Sequence, residues 1–217
     1  MSRRSPLLWI VILLCSTILA CSGETLAPQI SSTPSSKILF QDDFSDPSSG
    51  WLTARETNYV IDYESGGFRI WGDSANYDYW SEPSLNFTDM QIEVDAEKSA
   101  GPDNNSFGIL CRYDHENFYG FLISSDGYYG ISKRKNGNHQ ILGADGMKIS
   151  DVIKKGSATN HIRADCIGSR LTLYVNNEKL LDVQDNEFAS GDVGLIAGNF
   201  DTGGVDIKFN NFVVQKP

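Results

Sequence analysis

The chain has 217 residues, 28 acidic and 18 basic side chains, a formal net charge of −10 at neutral pH, and 11% aromatic residues. So acidic a surface argues against nucleic acid as a partner and against docking on anionic lipid by charge alone. The length allows one large or two small domains.

The first stretch is read as an address. Arg3 and Arg4 precede a mostly apolar run from Leu7 to Ala20. That run is short for a membrane span and has the flanks of an export signal. It ends in Ile18-Leu19-Ala20-Cys21, which resembles the bacterial lipobox, whose cysteine is lipidated on its thiol and becomes the mature N-terminus. The expectation is a signal peptide over 1–20 and a lipidated Cys21, with an ordinary secretory signal as the alternative. Several acyl chains on one residue would hold the protein at the extracytoplasmic face of a membrane. Removing residues 1–20 takes away two arginines and no acid, so the mature chain is more acidic still. Residues 21–36, with Ser31-Ser32-Thr33-Pro34-Ser35-Ser36, have the composition of a flexible tether.

From about residue 37 the chain is a succession of short β-type runs. Ile38–Phe40 opens it, and the Asp/Ser/Pro/Gly loop that follows carries Phe44 and Trp51, expected to close one end of a core. Tyr59–Tyr63 and Gly67–Gly72 read as a hairpin, followed by the aromatic cluster Tyr77-Asp78-Tyr79-Trp80 and a strand at Met90–Lys98. The centre is a meander of Phe107–Tyr113, Phe118–Ser124 and Tyr128–Lys133. Alternation places Phe107, Ile109, Cys111 and Tyr113 on one face of the first run, and Gly108, Leu110 and Arg112 on the other. The second run is apolar on both faces. In the third, Tyr129 and Ile131 oppose Tyr128, Ser132 and Arg134. Ser150–Lys155 is the one place where a short helix is expected, with Ser150 as cap and Gly156 as stop. His161–Cys166, Arg170–Asn176, Lys179–Gln184, Gly191–Phe200 and Val205–Gln215 complete the set. Roughly a dozen strands, turns at regular spacing and at most one helix define an all-β antiparallel sandwich filling 37–217.

With Cys15 cleaved and Cys21 acylated, Cys111 and Cys166 remain, each on an apolar strand face. Export permits a disulfide between them. Two buried thiols are the alternative.

The order of motifs resembles a known superfamily. Phe40-x-Asp-Asp-Phe44 and Gly50-Trp51 come first, then Gly108-Ile-Leu-Cys-Arg-Tyr113, Asn117-Phe-Tyr119 and Asp126-Gly-Tyr-Tyr129. Asn160-His-Ile-Arg163, Gly168-x-x-Leu171-x-Leu-Tyr-Val-Asn176, Gly191-x-Val-Gly194-Leu and Val205-Asp-Ile-x-Phe-Asn-Asn-Phe-Val-Val214 follow. The pattern is similar to the concanavalin A-like lectin/glucanase superfamily, with laminin-G-like and keto-disaccharide-hydrolase-like domains nearest. The resemblance implies a two-sheet jelly roll whose concave outer face or loop rim takes carbohydrate.

Three chemistries compete for the site. Glu93-Val94-Asp95-Ala96-Glu97 projects three acids to one side of a strand and resembles the Glu-x-Asp-x-Glu signature of family 16 glycoside hydrolases. It precedes the central meander, whereas in those enzymes it lies later in the chain. Sugar binding uses aromatic rings and a few convergent polar groups. The candidates are Tyr79, Trp80, Arg112, Tyr128, Arg163 and Tyr174, with cross-strand ion pairs to Glu93, Asp95, Glu97 or Asp165 as the competing role of the arginines. Asp42, Asp43, Asp206, Asn210 and Asn211 offer hard oxygen ligands for Ca²⁺, or simply form turns. His115, His139 and His161 show no metal or triad spacing, and no cofactor is expected. The reading taken is a non-catalytic, carbohydrate-binding envelope lipoprotein. A glycoside hydrolase using Glu93 and Glu97 and a protein-interaction or envelope-structural module are the alternatives.

Overall fold

The computed structural model describes residues 37–217. The expected signal peptide, the lipidated Cys21 and the tether lie outside the described residues. The chain forms β1 (Ile38–Asp42), β2 (Ala54–Arg55), β3 (Tyr59–Tyr63), β4 (Phe68–Gly72), β5 (Tyr77–Ser81), β6 (Met90–Ala100), β7 (Asn105–Asp114) and β8 (Asn117–Ile123). It continues through β9 (Tyr128–Lys135), β10 (Asn138–Leu142), β11 (Lys148–Ile149), β12 (Asn160–Ile167), β13 (Arg170–Val175), β14 (Glu178–Gln184), β15 (Asp192–Asn199) and β16 (Val205–Gln215). A nine-stranded sheet runs β14-β13-β12-β6-β16-β4-β3-β2, with β1 also on β16. A seven-stranded sheet runs β10-β9-β8-β7-β15-β5, with β11 on β9. All pairings are antiparallel, and the protein is a jelly-roll sandwich.

Hairpin chemistry explains the tight turns. Asn136-Gly137 and Asn176-Asn177 both take positive φ at their two central positions (50° and 78°, 49° and 70°), the geometry a two-residue loop between twisted strands requires. The core follows from alternation. In β6, Ile92, Val94 and Ala96 are buried while Glu93, Asp95 and Glu97 stay partly exposed. From the facing sheet, Phe107, Ile109, Cys111, Tyr119, Phe121, Ile123 and Ile131 meet them, as expected for that face. Phe44 and Trp51 do close one end, with ring centres 5.3 Å apart, and Trp51 sits 4.9 Å from Phe212. The Asp42 carboxylate ties this end together by accepting from Phe44 N at 2.7 Å and from Trp51 Nε1 at 2.9 Å. Cys111 of β7 and Cys166 of β12 are bonded, with Cα atoms 6.9 Å apart, so the disulfide joins the two sheets through the core.

Three expectations change. Ser150–Lys155 is not helical, and the described residues contain no helix. The Ser150 hydroxyl accepts from Val152 N at 3.3 Å, a local turn and not a helix cap. The following amides, however, are claimed by tertiary partners: Lys154 N donates to Asn160 Oδ1 at 2.9 Å, and Gly156 N to Ser125 O at 2.8 Å. Arg112 does not point outward with Leu110. Pairing slips between Cys111 and Asp114 and again between Asp192 and Val193, with Arg112 at φ 53°. Such a bulge re-aims side chains. Arg112 turns inward, 1% exposed, and Tyr113 leaves the core face to pack beside Phe118 on the outside. Tyr77–Ser81, expected only as an aromatic cluster, is an edge strand beside β15. Its Tyr79 is a core residue, 3% exposed, in contact with the Tyr59 ring.

Candidate functional site

The outer face of the seven-stranded sheet carries a cleft of about 930 Å³. Phe118 and Leu122 of β8 and Ile196 of β15 form its floor, and Ile141 and Met147 flank it. Glycines make room for it. A Cβ on Gly198 would sit 2.1 Å from Asp78 Oδ1 and 2.9 Å from Ser106 Oγ, and one on Gly120 would meet Ser132 Oγ at 2.7 Å. Strand termini and loops then supply the polar wall: Asp78, Ser106, Asp126, His139, Asn199 and Asp201. Two rings stand at the rim, Tyr128 at the start of β9 and Phe200 just beyond β15, 41% and 38% exposed. Strands β9 and β15 are three positions apart in the sheet, so strand spacing sets these two residues roughly 14 Å apart at the rim.

Trp80 lies on the same face, its ring centre 5.8 Å from that of Phe118, with the Arg134 guanidinium 5.2 Å above it. Strands β5 and β9 are separated by three others, so side chains from far apart in the sheet meet here. Burial raises the Asp78 carboxyl above the ordinary carboxylate range, and the charges of His139 and Arg134 only partly offset this.

Beyond Phe118 and Tyr113 is a second cavity of about 510 Å³, lined by Glu82, Asn86, Tyr113, Asp114, His115 and Asp192 among others. Glu82 and Asp192 are both buried. Burial first, then the neighbouring Asp192 charge, pushes Glu82 up to about 7 against a hydrogen bond from Tyr113. Asp192 is raised by burial, while backbone amides of Val193, Leu85 and Ser84 pull it back.

The sequence candidates divide between the two sheets. Tyr128 lines the cleft, and Trp80 supports its wall. Arg163 and Tyr174 lie on the opposite side of the molecule, on the outer face of the nine-stranded sheet, stacked at 4.7 Å. With Glu93, His161 and Asn177 they line a depression of about 140 Å³, well below the roughly 300–1,000 Å³ of ligand clefts. Arg163 is bidentate to Asp165 at 2.7 and 2.9 Å, the ion-pair role set against binding. Asp95 accepts from Asn211 at 2.8 Å and meets His161 Nδ1 at 2.8 Å. Glu93 accepts from Gln215 at 3.1 Å, and Glu97 from Thr159 at 2.7 Å. The acidic triplet is thus a hydrogen-bonded stripe outside any cleft of ligand size among the described residues. Arg112 and Tyr79 belong to neither face. Arg112 donates to Thr88 O at 3.2 and 3.1 Å and to Phe188 O at 2.8 Å, which pins two loops. The oxygen cluster considered for Ca²⁺ is dispersed, with Asp42 in its turn, Asp43 accepting from Ser45 N, and Asp206 on Arg69. No group of three or more metal-ligating side chains occurs among the described residues.

Asp78, Asp126, Arg134 and Phe200 are not binding candidates in the sequence, and His139 enters there only as a histidine without metal or triad spacing. A signal for them existed. Gly108, Gly120, Gly130, Gly194 and Gly198 fall at outward positions of four adjacent strands, which is how a sheet leaves room above itself.

No protein-family model matches the chain, and no curated protein sequence matches it. Solved structures do. The carbohydrate-binding module CBM66 from Bacillus subtilis superposes with a TM-score of 0.62 at 19% identity, over 77% of this chain and 96% of that one. A protein of unknown function with a galectin-like fold, also from Bacillus subtilis, gives 0.60 at 10% identity over 82% and 96%. The GH43 protein BlXynB from Bacillus licheniformis gives 0.60 at 16% identity over 82% of this chain, which spans 39% of that protein. At these identities the likeness shows the fold alone, a two-sheet antiparallel jelly-roll sandwich.

Proposed function

We propose that the protein binds carbohydrate, without cleaving it, in the cleft on the outer face of the seven-stranded sheet. The observation that carries this reading is the pairing of two exposed rings, Tyr128 and Phe200, with a recessed carboxylate, Asp78, in one concavity of ligand size. Rings stack on the C–H faces of a sugar while a few polar groups fix its orientation. A carbohydrate-binding module among the structural neighbours supports the reading. The lipobox-like Ile18–Cys21 and the Ser/Thr/Pro stretch support an exported lipoprotein that presents this domain outside the cytoplasm. Affinity electrophoresis of the protein against a polysaccharide panel tests the binding. Retardation by at least one polymer, lost in Tyr128→Ala and Phe200→Ala, is expected; a folded protein retarded by none defeats it. Incorporation of radiolabelled palmitate, abolished by Cys21→Ser, tests the anchor.

A further inference from the structure

Polar groups buried at a protein surface are normally satisfied, so those that are not mark where something else binds. Every other arginine among the described residues has partners: Arg55 with Asp62, Arg69 with Asp206 and Glu64, Arg112 with two carbonyls, Arg163 with Asp165, and Arg170 with Asp182. The Arg134 side chain makes no hydrogen bond or ion pair within the described residues, and its Nε is the one buried side-chain polar atom there without a partner. Its guanidinium lies over Trp80, which positions it without satisfying its donors. On the same face, the Asp78 carboxylate likewise receives no hydrogen bond from any described residue. Asp78 and Arg134 feel each other's charge, yet no ion pair joins them. An acceptor and a donor are thus both unpaired on one face: Asp78 lines the cleft, its carboxylate lying over Gly198, and Arg134 stands beside the cleft over Trp80.

The remaining charges narrow what fits. Asp78, Asp126 and Asp201 line the cleft against the single His139, with Lys155 standing behind Gly127 at the rim. Three carboxylates repel an anionic ligand. A hydroxyl suits both unpaired groups, because it can donate to a carboxylate and accept from a guanidinium. Resting on the glycan reading, we propose that the cleft selects neutral sugars over acidic ones, and that Asp78 in its wall and Arg134 beside it each take a sugar hydroxyl, one as acceptor and one as donor.

The test uses the full chain in detergent and titrates wild type, Asp78→Asn, Arg134→Gln and the double variant with xylan, mannan, β-glucan and levan (neutral). Polygalacturonate and alginate (acidic) complete the panel. Near-UV circular dichroism confirms folding, and Asp78→Ser replaces Asp78→Asn if the latter fails that check. The proposal expects binding by at least one neutral polymer and at least about tenfold weaker binding by the acidic ones. Each single variant should lose about 10- to 100-fold, the range for a hydrogen bond to a charged group, with the double variant losing less than the product. If polygalacturonate or alginate binds as tightly as the best neutral polymer, the proposal is overturned while glycan binding stands. The same holds if both single variants bind as wild type while Tyr128→Ala does not. Binding by no polymer at all overturns both readings together.

Discussion

The two outer faces of this sandwich are built from similar residues and arranged to opposite ends. On the nine-stranded sheet, Glu93 and Asp95 with His161, Arg163 with Asp165, and Glu97 with Thr159 are taken up in hydrogen bonds and ion pairs, over a surface with a 140 Å³ dip. On the seven-stranded sheet, Asp78 and Arg134 are left without such partners, above a floor hollowed by glycine and flanked by exposed rings. The first face is a solvated exterior that spends its charges on itself. The second keeps its polar groups open for something else. Satisfaction of the polar groups, more than their type, separates the binding face from the inert one.

The comparison can be broken most severely at what the two faces share. Cys111–Cys166 joins the sheets behind both, across 55 residues of sequence. Replacing both cysteines by alanine should cost about 4 kcal/mol in the chain-entropy account, read as a lower urea midpoint, and should loosen both faces together. Arg112→Ala removes the donors to the Thr88 and Phe188 carbonyls and leaves those acceptors with an emptied space beside them. We expect a loss of about 3 kcal/mol in urea unfolding.

A smaller effect touches the cleft sheet alone. Glu82 titrates at about 7 in the folded protein, above its ordinary value of 4.5. The folded state therefore holds this proton more tightly than the unfolded chain does. Its contribution is fully present below about pH 4.5 and is lost as pH rises through 7, amounting to about 2–3 kcal/mol. Unfolding measured from pH 4.5 to 8 should show this decline, and Glu82→Gln should flatten it. The smallest effects belong to the paired face. Glu93→Gln and Arg163→Gln should each change stability by less than about 1 kcal/mol, as partly exposed ion pairs do, and leave polysaccharide retardation unaltered.

Much of this architecture was legible in the sequence. Strand alternation placed Ile92, Val94 and Ala96 inside and Glu93, Asp95 and Glu97 outside, and the hairpin asparagines marked their turns. Compartment and matching apolar faces pointed to the disulfide. The site was far less legible. Alternation assumes an uninterrupted pleat, and the bulge at Arg112 reversed that side chain and Tyr113 in a way no local pattern announces. Asp78, Arg134 and His139 come from three strands whose neighbours are set by the order of the sheet, so their juxtaposition is a property of topology. Arg163 looked as available as Arg134, because a sequence does not show which arginine already has its carboxylate.

The central claim is that ligand meets the open face and not the paired one. Backbone amide NMR of the protein, titrated with an oligosaccharide of whichever neutral polymer retards it, reads this directly. The account predicts shifts concentrated at Asp78, Asp126, Tyr128, His139 and Phe200, with Glu93, His161, Arg163 and Tyr174 unmoved. Shifts concentrated at the latter group would contradict it.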